Sequence, residues 1–178
     1  MKKLIASMIA AASIFAPTAS LAENTFEDHV NLWTALQDVG VTTILNHKIH
    51  CKTNVKMDGI YFPFAAMLVI CQDLAKGTDE AYWTKNDLDT LRHEAHHIVQ
   101  DCAIGGLGDG RAALLFAEKD EFNSVVLPIL GAARVQQIRK DYSFLSEKDI
   151  RLELEAFAVA DTVPAASIAA KIKQFCEI

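Results

Sequence analysis

The chain has 178 residues and a formal net charge of −6, from 17 Lys+Arg against 23 Asp+Glu, and 51% of its residues are hydrophobic. An acidic chain with no basic run excludes nucleic acid and anionic membrane surfaces as partners. At this length one domain with a full hydrophobic core is expected.

Residues 1–22 read as a leader rather than as part of the fold. Lys2 and Lys3 precede an apolar run from Leu4 to Phe15 that is too short to span a bilayer, and Ser20-Leu21-Ala22 offers the small residues a signal peptidase reads. Cleavage after Ala22 leaves one domain over residues 23–178, periplasmic or secreted. That mature chain has no membrane anchor, because no later segment is long and apolar enough to cross. Removing Lys2 and Lys3 also makes it more acidic.

Thr25 to Val39 carries Phe26, Val30, Trp33 and Leu36 at helical spacing and stops at Gly40. Val41 to Leu45 is rich in β-branched residues and reads as a strand. After Cys51, Asp58-Gly59 signals a turn, and Ile60-Tyr61-Phe62 and Met67 to Cys71 read as strands separated at Pro63. Thr84 with Asp87 three residues on predicts a capping box that opens a helix, which Gly105 and Gly106 can close. The glycine-rich stretch from Gly105 to Gly110 lacks the Lys-Ser/Thr of a phosphate loop.

The second half is helical. Glu121 to Val126 and Ala132 to Lys140 have helical spacing, interrupted near Pro128 and Gly131. Ser146 with Asp149 opens a helix from Glu147 to about Ala160, and Pro164 suits the first turn of a last helix ending near Phe175. The predicted class is α+β, mostly helical, with a small antiparallel sheet ahead of the Thr84 helix. Four cysteines in an exported chain predict two disulfides. Cys51 and Cys71 flank the expected hairpin, which leaves Cys102 to join Cys176.

The segment His93-Glu94-Ala95-His96-His97 carries the chemistry. It reads H-E-x-x-H. On a helix His93 and His97 project from one face about one turn, ~5–6 Å, apart, a separation from which both imidazoles reach one Zn²⁺ at roughly 2.0–2.1 Å. Glu94 is offset by about 100°, placed to take a proton from activated water instead of binding the ion. Leu88, Leu91, Ala95, Ile98 and Val99 surround the motif with apolar positions, so this is not a free polar helix with surface histidines. His96 faces away from the His93/His97 stripe and is expected in the wall of the site.

A catalytic zinc takes three protein ligands and keeps one open position. A metzincin pattern would need Gly at position 100 and His or Asp at 103; the chain has Gln100 and Ala103. Asp101 lies on the His97 stripe but too far along the axis to share the ion. The third ligand is expected from Glu153-Leu154-Glu155-Ala156. Glu155 is preferred because Ala156 and Ala158 let its helix approach closely. Glu153, about 160° away around the axis, is the competitor.

With these segments the chain resembles the gluzincins, zinc peptidases that carry H-E-x-x-H on one helix and a glutamate ligand on a later one. Leu91 to His97 and the Glu153-Leu154-Glu155-Ala156 stretch carry the resemblance, which extends over about residues 58–161. It implies a zincin-like fold and a zinc metalloendopeptidase acting on a peptide or protein substrate. The metal ligands would be His93, His97 and Glu155, and Glu94 the general base. It also implies a cleft-lining strand that pairs with the substrate, a place held by Ala66 to Cys71. The chain departs from the family in the longer gap between His97 and Glu155, and in Val159 where an Asp often follows the glutamate ligand by four residues. Tyr142 is the first candidate to stabilise the oxyanion, with Tyr61, Tyr82 and His96 as alternatives. The rival reading is a zincin-like binding module that recognises a protein partner without cleaving it.

Overall fold

The computed structural model describes residues 24–52, 57–74 and 76–176; the expected leader and its cleavage site lie outside them. Among the described residues the fold is α+β, with five α-helices and a three-stranded sheet. Helix α1 is Phe26–Asp38, followed by strands β1 (Thr42–Leu45), β2 (Gly59–Phe62) and β3 (Met67–Ile70). Helices α2 (Lys85–Cys102), α3 (Lys119–Asp141), α4 (Glu147–Thr162) and α5 (Ala165–Cys176) complete the chain.

Local signals set these boundaries. Thr25 caps α1 in a reciprocal box with Asp28, and Gly40, at φ 94°, turns the chain out of it. The Thr84–Asp87 box opens α2 as expected. Ser146 accepts from the Asp149 N–H at the start of α4. In α3 the backbone departs from helical torsions at Gly131 (φ 72°, ψ 157°), so a bend lies where the sequence was interrupted.

The sheet is mixed, not antiparallel. Its order is β1-β3-β2, with β1 parallel and β2 antiparallel to β3. Met67-Leu68-Val69-Ile70 is apolar throughout, and Leu68, Val69 and Ile70 are completely buried. Such a strand is most stable paired on both edges. It therefore takes the centre, and the more mixed β1 and β2 become the edges. The strand Ala66 to Cys71 thus has no free edge to offer a peptide.

Both expected disulfides are present. Cys51–Cys71, with Cα atoms 5.4 Å apart, ties the segment after β1 to the end of β3, and Cys102–Cys176, at 5.1 Å, ties the last turn of α2 to the last turn of α5.

Two apolar clusters hold the elements together. Leu36, Leu68, Leu91, Ile98, Ile168 and Ile172 join α1, the sheet, α2 and α5. Phe116, Phe122, Val126, Ile138, Ile150 and Leu154 join α3 to α4. Each such side chain contributes roughly 1.5–3 kcal/mol by leaving water. Helix α2 lies between them, packed on α4, α5 and β2, and this places the H-E-x-x-H segment where the two clusters meet.

Candidate metal centre

His93 and His97 on α2 face Glu153 on α4. His93 Nε2 lies 3.2 Å from Glu153 Oε2 and 3.1 Å from His97 Nε2, and His97 Nε2 lies 3.5 Å from Glu153 Oε1. Among the described residues this is the group of three or more His, Cys, Asp or Glu side chains that could hold a metal ion. A tetrahedral ion with ligands at ~2.0–2.1 Å separates its ligand atoms by ~3.3–3.4 Å. The separations, taken to the two oxygens of Glu153, are of that order, so the group could hold a metal ion.

The third member is Glu153, not Glu155. Glu155 is completely buried. Its Oε1 accepts from His96 Nε2 (2.9 Å), Gln100 Nε2 (3.1 Å) and the Leu115 N–H (3.1 Å), and its Oε2 accepts from the Phe116 N–H (3.1 Å). The small residues that favoured Glu155 mark the dry seam where α2 and α4 come closest. A metal ligand also needs access, and Glu153 stands at the more open margin of that seam. Both carboxylates reach α2, because His93 and His97 present one stripe of it and His96 with Gln100 a neighbouring one.

Charge couples the three side chains. Burial alone would depress the His97 imidazole, but the Glu153 carboxylate beside it outweighs burial and lifts it to about 9. Burial would raise Glu153, yet His97 and His93 hold it well below the usual carboxylate range. Glu94 is raised by burial, only partly offset by His93 and His97 and by a backbone hydrogen bond from Tyr61.

Of the cluster, His93 lines a cleft of about 310 Å³ whose walls also include Gly59, Glu94, Arg134, Tyr142 and Phe157. Glu94 therefore shares a cavity with one of the two imidazoles. The Tyr142 hydroxyl is raised by burial and by the charges of Glu153 and Glu94. The alternatives to Tyr142 lie elsewhere. Tyr61 Oη donates to Asp101 Oδ2 at 2.6 Å, His96 is committed to Glu155, and Tyr82 is outside the cleft wall. Asp101, which also accepts from the Gly108 N–H at 3.3 Å, ties the glycine-rich loop to α2.

Three contributors were not singled out from the sequence. Gln100 Oε1 lies 2.8 Å from His97 Nδ1; its position three residues, about one turn, after His97 was the available signal. Phe157, four residues after Glu153, packs its ring 4.3 Å from that of His93, and His93 Nδ1 is buried without a hydrogen-bond partner. Gly59 begins β2 where it crosses α2. A Cβ there would sit 2.6 Å from Thr90 Cγ2 and 3.1 Å from Glu94 Cγ.

No family model, curated protein or solved structure matches the chain. The functional reading therefore rests on the site itself.

Proposed function

We propose that the protein is an exported zinc metalloendopeptidase of zincin-like, gluzincin-type architecture, acting on peptide or protein substrates. The observation that carries this reading is the triangle of His93, His97 and Glu153, with His93 also lining the cleft that holds Glu94. Two imidazoles and one carboxylate suit zinc better than magnesium or calcium, which prefer all-oxygen sites. Three protein ligands is also the number that a catalytic zinc site takes.

When bound, zinc supplies Lewis acidity that polarises a peptide carbonyl and acidifies water. His93, His97 and Glu153 would hold it. The Glu94 carboxylate takes the proton of the attacking water and passes it to the leaving amine. Tyr142, in the wall of the same cleft, is the candidate donor to the developing oxyanion.

The test is cleavage of casein or a peptide library by the purified mature protein before and after chelation, with Glu94→Gln in parallel. The Gln side chain keeps the shape but cannot accept the proton, so zinc should stay bound while hydrolysis falls by at least ~10²-fold. Undiminished hydrolysis by this variant would remove Glu94 from the mechanism. Zinc binding without cleavage of any peptide would favour a non-catalytic binding module.

A further inference from the structure

We infer that Gln100 and Glu155 are positioning residues that fix His97 in the one tautomer able to bind a metal through Nε2. This rests on the metal-site reading above and adds to it the device that prepares one ligand.

Glu155 accepts four hydrogen bonds, from His96, Gln100 and the backbone of Leu115 and Phe116. A carboxylate so surrounded stays ionised and acts only as an acceptor. Gln100 Nε2 approaches both Glu155 Oε1, at 3.1 Å, and the Leu152 carbonyl, at 3.2 Å. Two acceptors face that end of the amide, so it must be the NH₂ end. The opposite end is then the carbonyl oxygen, and it lies 2.8 Å from His97 Nδ1. An amide oxygen cannot donate, so Nδ1 carries the proton. When the ring is neutral, the form in which it binds a metal, the other nitrogen is then the bare lone pair, and it faces His93 and Glu153.

Gln100 and Glu155 are both completely buried, so water does not compete for these bonds. His93 has no equivalent arrangement: its Nδ1 is unpartnered and its ring rests on Phe157. The two histidine ligands are therefore unequal, with His97 held by a relay two side chains deep and His93 held by packing. The same Glu155 oxygens pin Leu115 and Phe116, so the segment entering α3 is fastened to the relay.

Two variants at Gln100 separate positioning from packing. Gln100→Leu fills the space but cannot accept from Nδ1. Gln100→Glu keeps an acceptor for Nδ1 but sets a second carboxylate against Glu155. Zinc affinity is read by chelator competition and stability by thermal melting of the metal-free proteins. Zinc affinity should fall ~10–100-fold in Gln100→Leu, the usual scale for losing the partner that orients a histidine ligand. It should stay higher in Gln100→Glu even though that protein melts lower. Affinity and stability then rank the variants oppositely, which a purely structural role would not produce. In long-range ¹H–¹⁵N spectra of zinc-loaded wild type, His97 should carry its proton on Nδ1. A proton on Nε2, or wild-type zinc affinity in Gln100→Leu, would overturn the positioning role alone. Absence of zinc binding by wild type would overturn the metal-site reading with it.

Discussion

Glu153 Oε2 lies 3.2 Å from His93 Nε2, while the Glu155 carboxylate, two residues on, is buried against His96 and Gln100. One short stretch of α4 thus sends one carboxylate to the candidate metal and another into the seam between helices. The two should fail differently. Glu153→Ala removes a ligand and should lower zinc affinity by more than ~100-fold, with a smaller loss of metal-free stability. Glu155→Ala strands four buried donors and should destabilise the metal-free protein by about 3–5 kcal/mol, the scale for removing one partner of a buried charged network. Chelator competition and thermal denaturation separate the two. If Glu155→Ala stays as stable as wild type and loses more zinc than Glu153→Ala, the assignments exchange.

Gly59→Ala should harm catalysis more than folding. The added methyl meets Thr90 and the Glu94 side chain within 3.1 Å, and either β2 or Glu94 must move. Since a displacement near 1 Å at a reacting group can reduce rate ~10²-fold, kcat should fall by that order while the melting temperature shifts by only a few degrees. Wild-type kcat in this variant would mean that the β2 edge does not set the position of Glu94.

Acid should weaken the fold through His96 and Glu155. Burial depresses the His96 pKa below its ordinary 6.5, so the folded state holds the ring neutral and stability falls as pH drops below 6.5. Burial would raise Glu155, but the bonds from His96, Gln100 and Phe116 reverse this and hold it below 4.5. Its contribution is therefore present above 4.5 and is lost as pH falls through the depressed value. Denaturant unfolding of the metal-free protein should show stability declining in both intervals. Glu155→Gln should flatten the lower one, and a pH dependence unchanged by that substitution would contradict the assignment.

The two disulfides should differ in consequence. In the chain-entropy model the Cys102–Cys176 bridge, spanning 74 positions, contributes about 4 kcal/mol, and Cys51–Cys71, spanning 20, about 3 kcal/mol. The larger one also anchors the helix that carries both histidines. Replacing Cys102 and Cys176 by Ser should lower stability and weaken zinc binding, while the same change at Cys51 and Cys71 should leave zinc affinity near wild type. Mapping of unreduced protein should recover both pairs, and four alkylatable thiols in protein from its native compartment would remove both bridges and the argument for export.

Helix positions were legible in the sequence, and so were the caps at Thr84 and Ser146, because each acts within a single turn. Sheet topology was less so: four-residue strands show which segments are extended but not which neighbours they choose, and the parallel pairing of Thr42–Leu45 with Met67–Ile70 depends on burial of the whole central strand. On α2, His93, Glu94 and His97 were legible from spacing alone. Glu153 was not separable from Glu155, because both stripes of α4 meet α2 and only tertiary packing decides which margin stays open. Gln100 was visible as a departure from another family's pattern, while its hydrogen bonds to His97 and Glu155 depend on three elements meeting.

The bend at Gly131 decides whether the cleft has a roof. Its φ of 72° and ψ of 157° belong to glycine alone, and nothing lies within 4 Å of where a Cβ would stand, so the torsion pair rather than crowding restricts the position. Continued straight, Ala132 to Asp141 would run roughly 15 Å further along the axis of the first half of α3. Turned at this one residue, the same stretch crosses α4, pairs Arg134 with Asp161, and delivers Tyr142 to the wall above His93 and Glu94. The extent of the cleft is thus set by one backbone bend distant in sequence from every proposed ligand.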